Sequence, residues 1–156
     1  QTALFSVAFQ FFQIGTFLPG VLGAIFVPKL VISKSNKESN EMKKTYILLS
    51  IFWFICCLVI FYPIFIIYKF EINTINITTF WLMQLAVILS SIQAFYIQKN
   101  VAAGNFQILS ISSAIWGGLL FISQHILPSK IFYAALAFLL AYLASTLLLH
   151  YSNKEV

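Results

Sequence analysis

The sequence predicts an all-α integral membrane protein with about five transmembrane helices, and three observations carry that prediction. The 156 residues are 61% hydrophobic and only 8% charged, with a mean hydropathy of +0.95, whereas a soluble domain carries about a quarter charged residues. The charges are also clustered, leaving uncharged runs at 1–28, 45–68, 72–98, 100–129 and 131–153. Each run can supply the ~20 residues that a helix needs to cross ~30 Å of hydrocarbon. In that solvent a backbone must satisfy its own hydrogen bonds, so the runs read as helices. The short alternating segments of a membrane β-barrel do not occur.

The whole chain, 1–156, therefore reads as one membrane domain. The first span is expected at about 3–28, with a kink at Pro19-Gly20, because proline lacks a backbone donor and clashes with the preceding turn. A polar loop, Ser33–Lys44, follows. The second span, 46–68, lies between Lys44 and Lys69 and carries Pro63. Spans three and four, about 79–98 and 101–124, are separated only by Lys99-Asn100, which predicts an antiparallel hairpin. The fifth, 131–151, is entered through Leu127-Pro128-Ser129-Lys130. The chain opens on Gln1 without a charged n-region or cleavage site, and the expectation is a piece truncated on its N-terminal side.

All nine basic residues are Lys and all four acids are Glu, a bias that suggests an AT-rich coding sequence and a bacterial source. The lysines orient the spans. Lys29, Lys34, Lys37, Lys43, Lys44, Lys99 and Lys154 fall in loops that share one side, against only Lys69 and Lys130 on the other. By the positive-inside rule the first group is cytoplasmic, so the chain enters from outside and its C-terminus is cytoplasmic. Trp81, Tyr46, Tyr62, Tyr68 and Tyr151 read as interfacial anchors, and Trp53 and Trp116 as packing residues. Lys29, Lys34, Lys43 and Lys44 are also candidates for contact with anionic headgroups or a pyrophosphate.

Chemistry is otherwise sparse. The net charge of +5 is explained by topology and not by nucleic-acid binding. Adjacent Cys56 and Cys57 in mid-span read as apolar side chains, not as a disulfide or metal site. His125 and His150 sit at span ends and read as satisfied or interfacial. Asn76-Ile77-Thr78 matches a glycosylation sequon by chance. No Glu or Lys lies at mid-span, where catalysis or proton coupling needs it, so the expectation is a non-enzyme without metal or cofactor.

Uncharged polar residues are what the spans contain. Ser6, Gln10, Gln13, Phe17, Gly20 and Ala24 share one face of the first helix; Gln84, Ile88, Ser91, Phe95 and Gln98 do so in the third. Ala103, Gln107, Ser110, Ala114, Gly117, Phe121 and Gln124 form a stripe in the fourth, with Asn105 beside it. Ala134, Ala137, Ala141 and Ala144 form a small-residue stripe in the fifth. Small residues permit close helix approach and amides join helices, at about 0.6 kcal/mol per bond; this reading is preferred for the fifth helix. For the first and fourth, a water-filled cavity is an equal alternative.

The order of features resembles a known family. Ala3-Leu4-Phe5-Ser6-Val7-Ala8-Phe9-Gln10, then Phe17-Leu18-Pro19, then Val27-Pro28-Lys29-Leu30 and a polar basic loop, is similar to the polysaccharide flippases. These are the O-antigen and lipid-linked-oligosaccharide transporters of the multidrug/oligosaccharidyl-lipid/polysaccharide exporter superfamily. The stretch Asn100–Asn105 and the alanine-rich last helix with its short basic tail resemble the family's late helices. Ala3 stands where the family often has Gly, and Val31 where Ser often follows.

The resemblance implies the last five helices of a two-bundle, twelve-helix transporter, whose partner is its own N-terminal half. It also implies translocation of undecaprenyl-pyrophosphate-linked oligosaccharide across a bacterial inner membrane by alternating access. In that setting Gln10, Gln13, Asn105 and Gln107 are candidate sugar-facing amides, and Pro19 with Gly20 a candidate hinge. A multidrug exporter of the same superfamily and a non-catalytic membrane scaffold are the alternatives.

Overall fold

A computed structural model describes residues 2–32, 36–127 and 130–152, which form helices and short turns without strands. Five helices follow one another: α1 (Thr2–Ile32), α2 (Asn36–Ile67), α3 (Thr74–Ala102), α4 (Phe106–Ile126) and α5 (Ile131–Ser152). All five are long and apolar enough to cross a membrane, so the fold class is all-α and multi-pass.

The helices run longer than the uncharged stretches. The expected loop Ser33–Lys44 is largely helical, because α2 begins at Asn36; positions 33–35, with Lys34, lie outside the described residues. Lys, Glu and Met are good helix formers, Met42 is buried, and Lys44 pairs with Glu41 one turn back at 2.8 Å. At ~1.5 Å per residue α2 spans ~48 Å, well beyond a hydrocarbon slab. Charge marks where a span leaves the membrane, not where a helix stops.

Both described helix–helix turns with backbone hydrogen bonds close in the same way. Lys99 and Asn100, expected to separate two spans, belong to α3; the turn is Ala103-Gly104-Asn105. Asn105 N–H donates to Asn100 O at 2.9 Å and Gly104 N–H to Val101 O at 3.1 Å, the paired bonds of a Schellman motif. Gly104 takes the left-handed position, φ 74°, at no steric cost. After α2 the motif recurs, with Phe70 N–H on Phe65 O at 2.9 Å and Lys69 N–H on Ile66 O at 3.1 Å. Its hydrophobic contact is Phe65 against Phe70, ring centroids 5.8 Å apart. Here the left-handed residue is Lys69, φ 52°, where a Cβ costs about 1 kcal/mol. Lys69→Gly is therefore expected to stabilise the bundle by about 1 kcal/mol, read as a rise in thermal midpoint.

α3 is the central mast. Half of its most apolar window is buried, against 6% for α4. α1, α2 and α5 pack on α3, whereas α4 rests chiefly on α5. Three polar nodes tie the bundle, and α3 contributes to each. Gln84 accepts from Trp53 Nε1 at 3.2 Å and Cys57 Sγ at 3.4 Å, and donates to Ala8 O at 3.4 Å, joining α1, α2 and α3. Gln93 donates to Ser145 Oγ, which lies 2.6 Å from Ser112 Oγ, joining α3, α4 and α5. At the end carrying Lys43, Tyr96 bonds Lys43 and His150, and Tyr46 donates to Gln98. Tyr46, expected as an interfacial anchor, is instead fully buried, because Gln98 offers its hydroxyl a partner. Tyr62, Tyr68 and Tyr151 are exposed, and Trp81 is half-buried among Phe54, Phe61 and Phe80.

α1 turns a face inward that periodicity of polar residues does not reveal. Gly15, Pro19 and Gly23 are spaced by four and buried. A Cβ on Gly15 would lie 2.4 Å from Trp53 Nε1, and one on Gly23 2.3 Å from Gln98 Nε2. α1 runs unbroken through Pro19 and Pro28. The alanine stripe of α5 packs only in its middle, with Ala137 and Ala141 buried, Ala144 half-buried and Ala134 exposed.

Candidate functional site

The polar stripes sort into two kinds. The amides of α3, Gln84, Gln93 and Gln98, are buried and joined to other helices. The stripe of α1 faces away from the bundle: Ser6, Gln10, Gln13, Phe17, Gly20 and Ala24 are all exposed. On α4, Gln107, Ser110, Ala114 and Phe121 are exposed and Gly117 is half-buried; the Gln124 side chain lies outside the described residues. Ala103 belongs to the turn, not to α4. A helix hides its hydrogen-bonding side chains where neighbours can use them, so outward amides need another explanation.

An aromatic seam relates the two stripes. Phe138 and Tyr142 of α5 meet Phe12 of α1, with ring centroids 5.0 and 5.6 Å away. They meet Trp116 of α4 at 6.1 and 5.6 Å. Gln10 and Gln13, which flank Phe12, are therefore level with Trp116. Gln107 lies nine residues earlier in α4, roughly 14 Å along the axis. The four candidate amides thus form two pairs at different depths. At the level of Gln10 and Gln13, α4 offers Ser113, exposed, and Gly117.

The second pair lines a pocket. Asn100, Asn105, Gln107, Ile108, Ile111 and Ser152 line an open cleft of about 220 Å³ at the α3–α4 turn. Asn105 occupies the N-cap position of α4 but makes no side-chain cap bond, leaving its amide to the pocket. Asn100 is positioned by its Nδ2 donating to Tyr96 O at 2.9 Å. The lining is uncharged, with amides and a hydroxyl beside two isoleucines, a surface suited to hydroxyl-rich or amide ligands.

The other candidates separate. Pro19 is fully buried, while Gly20 is exposed and faces open space. Lys43 is drawn inward to Tyr96 Oη at 2.9 Å, and Lys44 holds Glu41. Lys29 is exposed. Lys29, Lys37, Lys43, Lys44 and Lys99 fall at one end of the helices, Lys69 and Lys130 at the other; Lys154 lies outside the described residues. His125 Nδ1 donates to Phe121 O at 2.9 Å. Asn76 sits in the first turn of α3, its amide donating to Glu71 O at 2.9 Å, and Asn73 caps that helix through Asn76 N–H. Among the described residues no three His, Cys, Asp or Glu side chains gather as metal ligands would.

Fold and surface together define an all-α, multi-pass membrane protein with outward polar faces on α1 and α4. No protein-family model, curated protein or solved structure matches the chain.

Proposed function

We propose that this chain is part of a membrane transporter, with the outward faces of α1 and α4 bordering a hydrated path for a polar substrate. The observation that carries the reading is the exposure of Gln10 and Gln13 one turn from the aromatic seam. An amide placed in hydrocarbon without a partner costs on the order of 4 kcal/mol or more. Two such amides on one face call for water or further protein, not lipid. The uncharged character of Gln10, Gln13, Asn105 and Gln107 suits a glycan, whose hydroxyls need donors and acceptors but no countercharge.

The resemblance to polysaccharide flippases makes the substrate a lipid-linked oligosaccharide on an undecaprenyl-pyrophosphate carrier, moved across a bacterial inner membrane. The Lys43 end is then cytoplasmic, and the remaining helices of the transporter close the path. Depth favours a relay: the Asn105–Gln107 pocket receives sugar at one end, and Gln10 with Gln13 meets it farther along. Described carboxylates support this over a cationic-drug exporter, since Glu38 and Glu41 lie in the first turns of α2 and Glu71 in the turn before α3.

The path is tested by single cysteines at Gln10, Gln13 and Val59 in a background lacking Cys56 and Cys57. A charged, membrane-impermeant maleimide is expected to label the first two at least tenfold faster than position 59, an apolar position 73% exposed. Equal, slow labelling at all three removes the hydrated path. The substrate is tested separately. Gln10→Leu with Gln13→Leu, and Asn105→Leu with Gln107→Leu, should each reduce glycan export at unchanged protein level; undiminished export in both would refute the glycan assignment.

A further inference from the structure

We infer that the cleft at the α3–α4 turn is a subsite for an acetamido group, so that the sugar it receives is an N-acetylamino sugar. The subsite rests on the glycan reading above and narrows it to one chemical class. Asn100 forms its deep side. That residue is 2% exposed and yet lines the cleft. Tyr96 O can only accept, so the end of the Asn100 amide that faces it, at 2.9 Å, is Nδ2. The other end, Oδ1, has no donor among the described residues and is the part of the amide left to the cleft. A carbonyl oxygen this deeply placed calls for a donor.

The first turn of α4 forms the facing side and carries the opposite polarity. The opening N–H groups of a helix have no intrahelical acceptor, and Asn105 at the N-cap makes no side-chain bond to them. Gln107 and Ile108, the second and third residues of α4, both line the cleft, and no turn or capping bond takes up their N–H groups. One side of the cleft therefore accepts and the other donates.

That pairing selects the ligand. A helix start alone would suit an anion, but an anion would meet the Asn100 carbonyl oxygen. A cation would meet the positive end of α4. No charged side chain lines the cleft, so a neutral group with both a donor and an acceptor fits best. A hydroxyl meets that condition but sets Ile108 and Ile111, one turn apart on α4, against a polar group. A secondary amide uses the whole lining. Its N–H donates to Asn100 Oδ1, its carbonyl accepts from the start of α4, and its methyl rests on the two isoleucines. The Gln107 side chain and the Ser152 hydroxyl remain for the hydroxyls of the ring.

The test uses the full chain in lipid nanodiscs and reads saturation transfer to methyl N-acetylglucosaminide and to methyl glucoside. Inorganic phosphate and N-acetylalanine methylamide serve as competitors. The acetyl methyl is expected to receive the strongest transfer, and the N-acetyl sugar to bind about tenfold tighter than the plain one. Asn100→Leu and Ile111→Ser should each erase that preference. Asn105→Asp should weaken binding while raising the thermal midpoint, because a carboxylate at the N-cap takes up the same N–H groups. Misfolding cannot produce that combination, so Asn105→Asp and Ile111→Ser decide should Asn100→Leu fail to fold. Equal binding of the two sugars overturns the acetamido subsite and leaves the glycan path standing. Displacement by phosphate would make the cleft an anion site, and tighter binding of the methylamide would assign it to a peptide; either overturns the inference. Failure of Gln10 and Gln13 to label would remove the path without altering the sugar preference measured here.

Discussion

Gly15→Leu is expected to detach α1 from α2 and to cost about 3 kcal/mol or more, the upper range for overpacking a close helix contact. Already at the β-carbon the substitution meets the Trp53 ring, with Nε1, Cδ1 and Cε2 at 2.4, 2.6 and 2.9 Å. An indole is rigid and cannot give way as a flexible chain end would. Gly15→Ala separates sterics from backbone preference. Helix propensity alone favours alanine by about 1 kcal/mol, so a net loss in that variant reports the collision. Gly23→Ala meets only the mobile amide of Gln98 and should cost less. Gly20→Ala, facing open space, should be neutral or stabilising. Reversible unfolding in mixed micelles gives the order.

The second large effect is expected at Gln84. Gln84→Leu preserves volume but leaves Trp53 Nε1, Cys57 Sγ and Ala8 O without their partner. An ordinary interhelical hydrogen bond in a membrane contributes about 0.6 kcal/mol, yet an orphaned buried donor costs about 2 kcal/mol. The loss should therefore lie nearer the larger figure. Trp53→Phe in the Gln84→Leu background removes the orphan and should recover part of the stability. Equal losses in the single and double variants would mean that the indole N–H is not what Gln84 serves. Gly15 and Gln84 grip the same indole, one by shape and one by hydrogen bonding, so their effects should be non-additive in a double-mutant cycle.

Much of this architecture was legible from residues alone. Long uncharged runs located five helices, because hydrocarbon admits few other structures, and alternate turns placed the lysines at opposite ends. Charge used as the stop signal misplaces the helix ends at Lys29, Lys44 and Lys99 but not those at Lys69 and Lys130. Asn36–Lys44 is helical because lysine and glutamate favour helices in water, and the true α3 stop was written in Ala103-Gly104-Asn105. Lys69 carried no such mark, since a lysine in a left-handed turn is not foreseeable from type.

The site was legible in part. Periodicity grouped Gln10 with Gln13 and identified their common face, but it could not say whether that face pointed inward or outward. Gln84 and Gln10 sit on similar stripes, and only tertiary packing distinguishes a structural amide from a surface one. The inward face of α1 was missed, although Gly15, Pro19 and Gly23 at four-residue spacing were the available signal. The contact of Lys43 with Tyr96 was also hidden, because 53 residues separate them.

The position of α4, leaning on α5 with little of its surface covered, has a consequence for how force and heat travel through the molecule. Its amide hydrogens should exchange with solvent deuterium sooner than those of α3, and pulling on its ends should peel it away before the other four rods part. Whatever comes to rest against that bare flank would register first as a stiffening of this single rod.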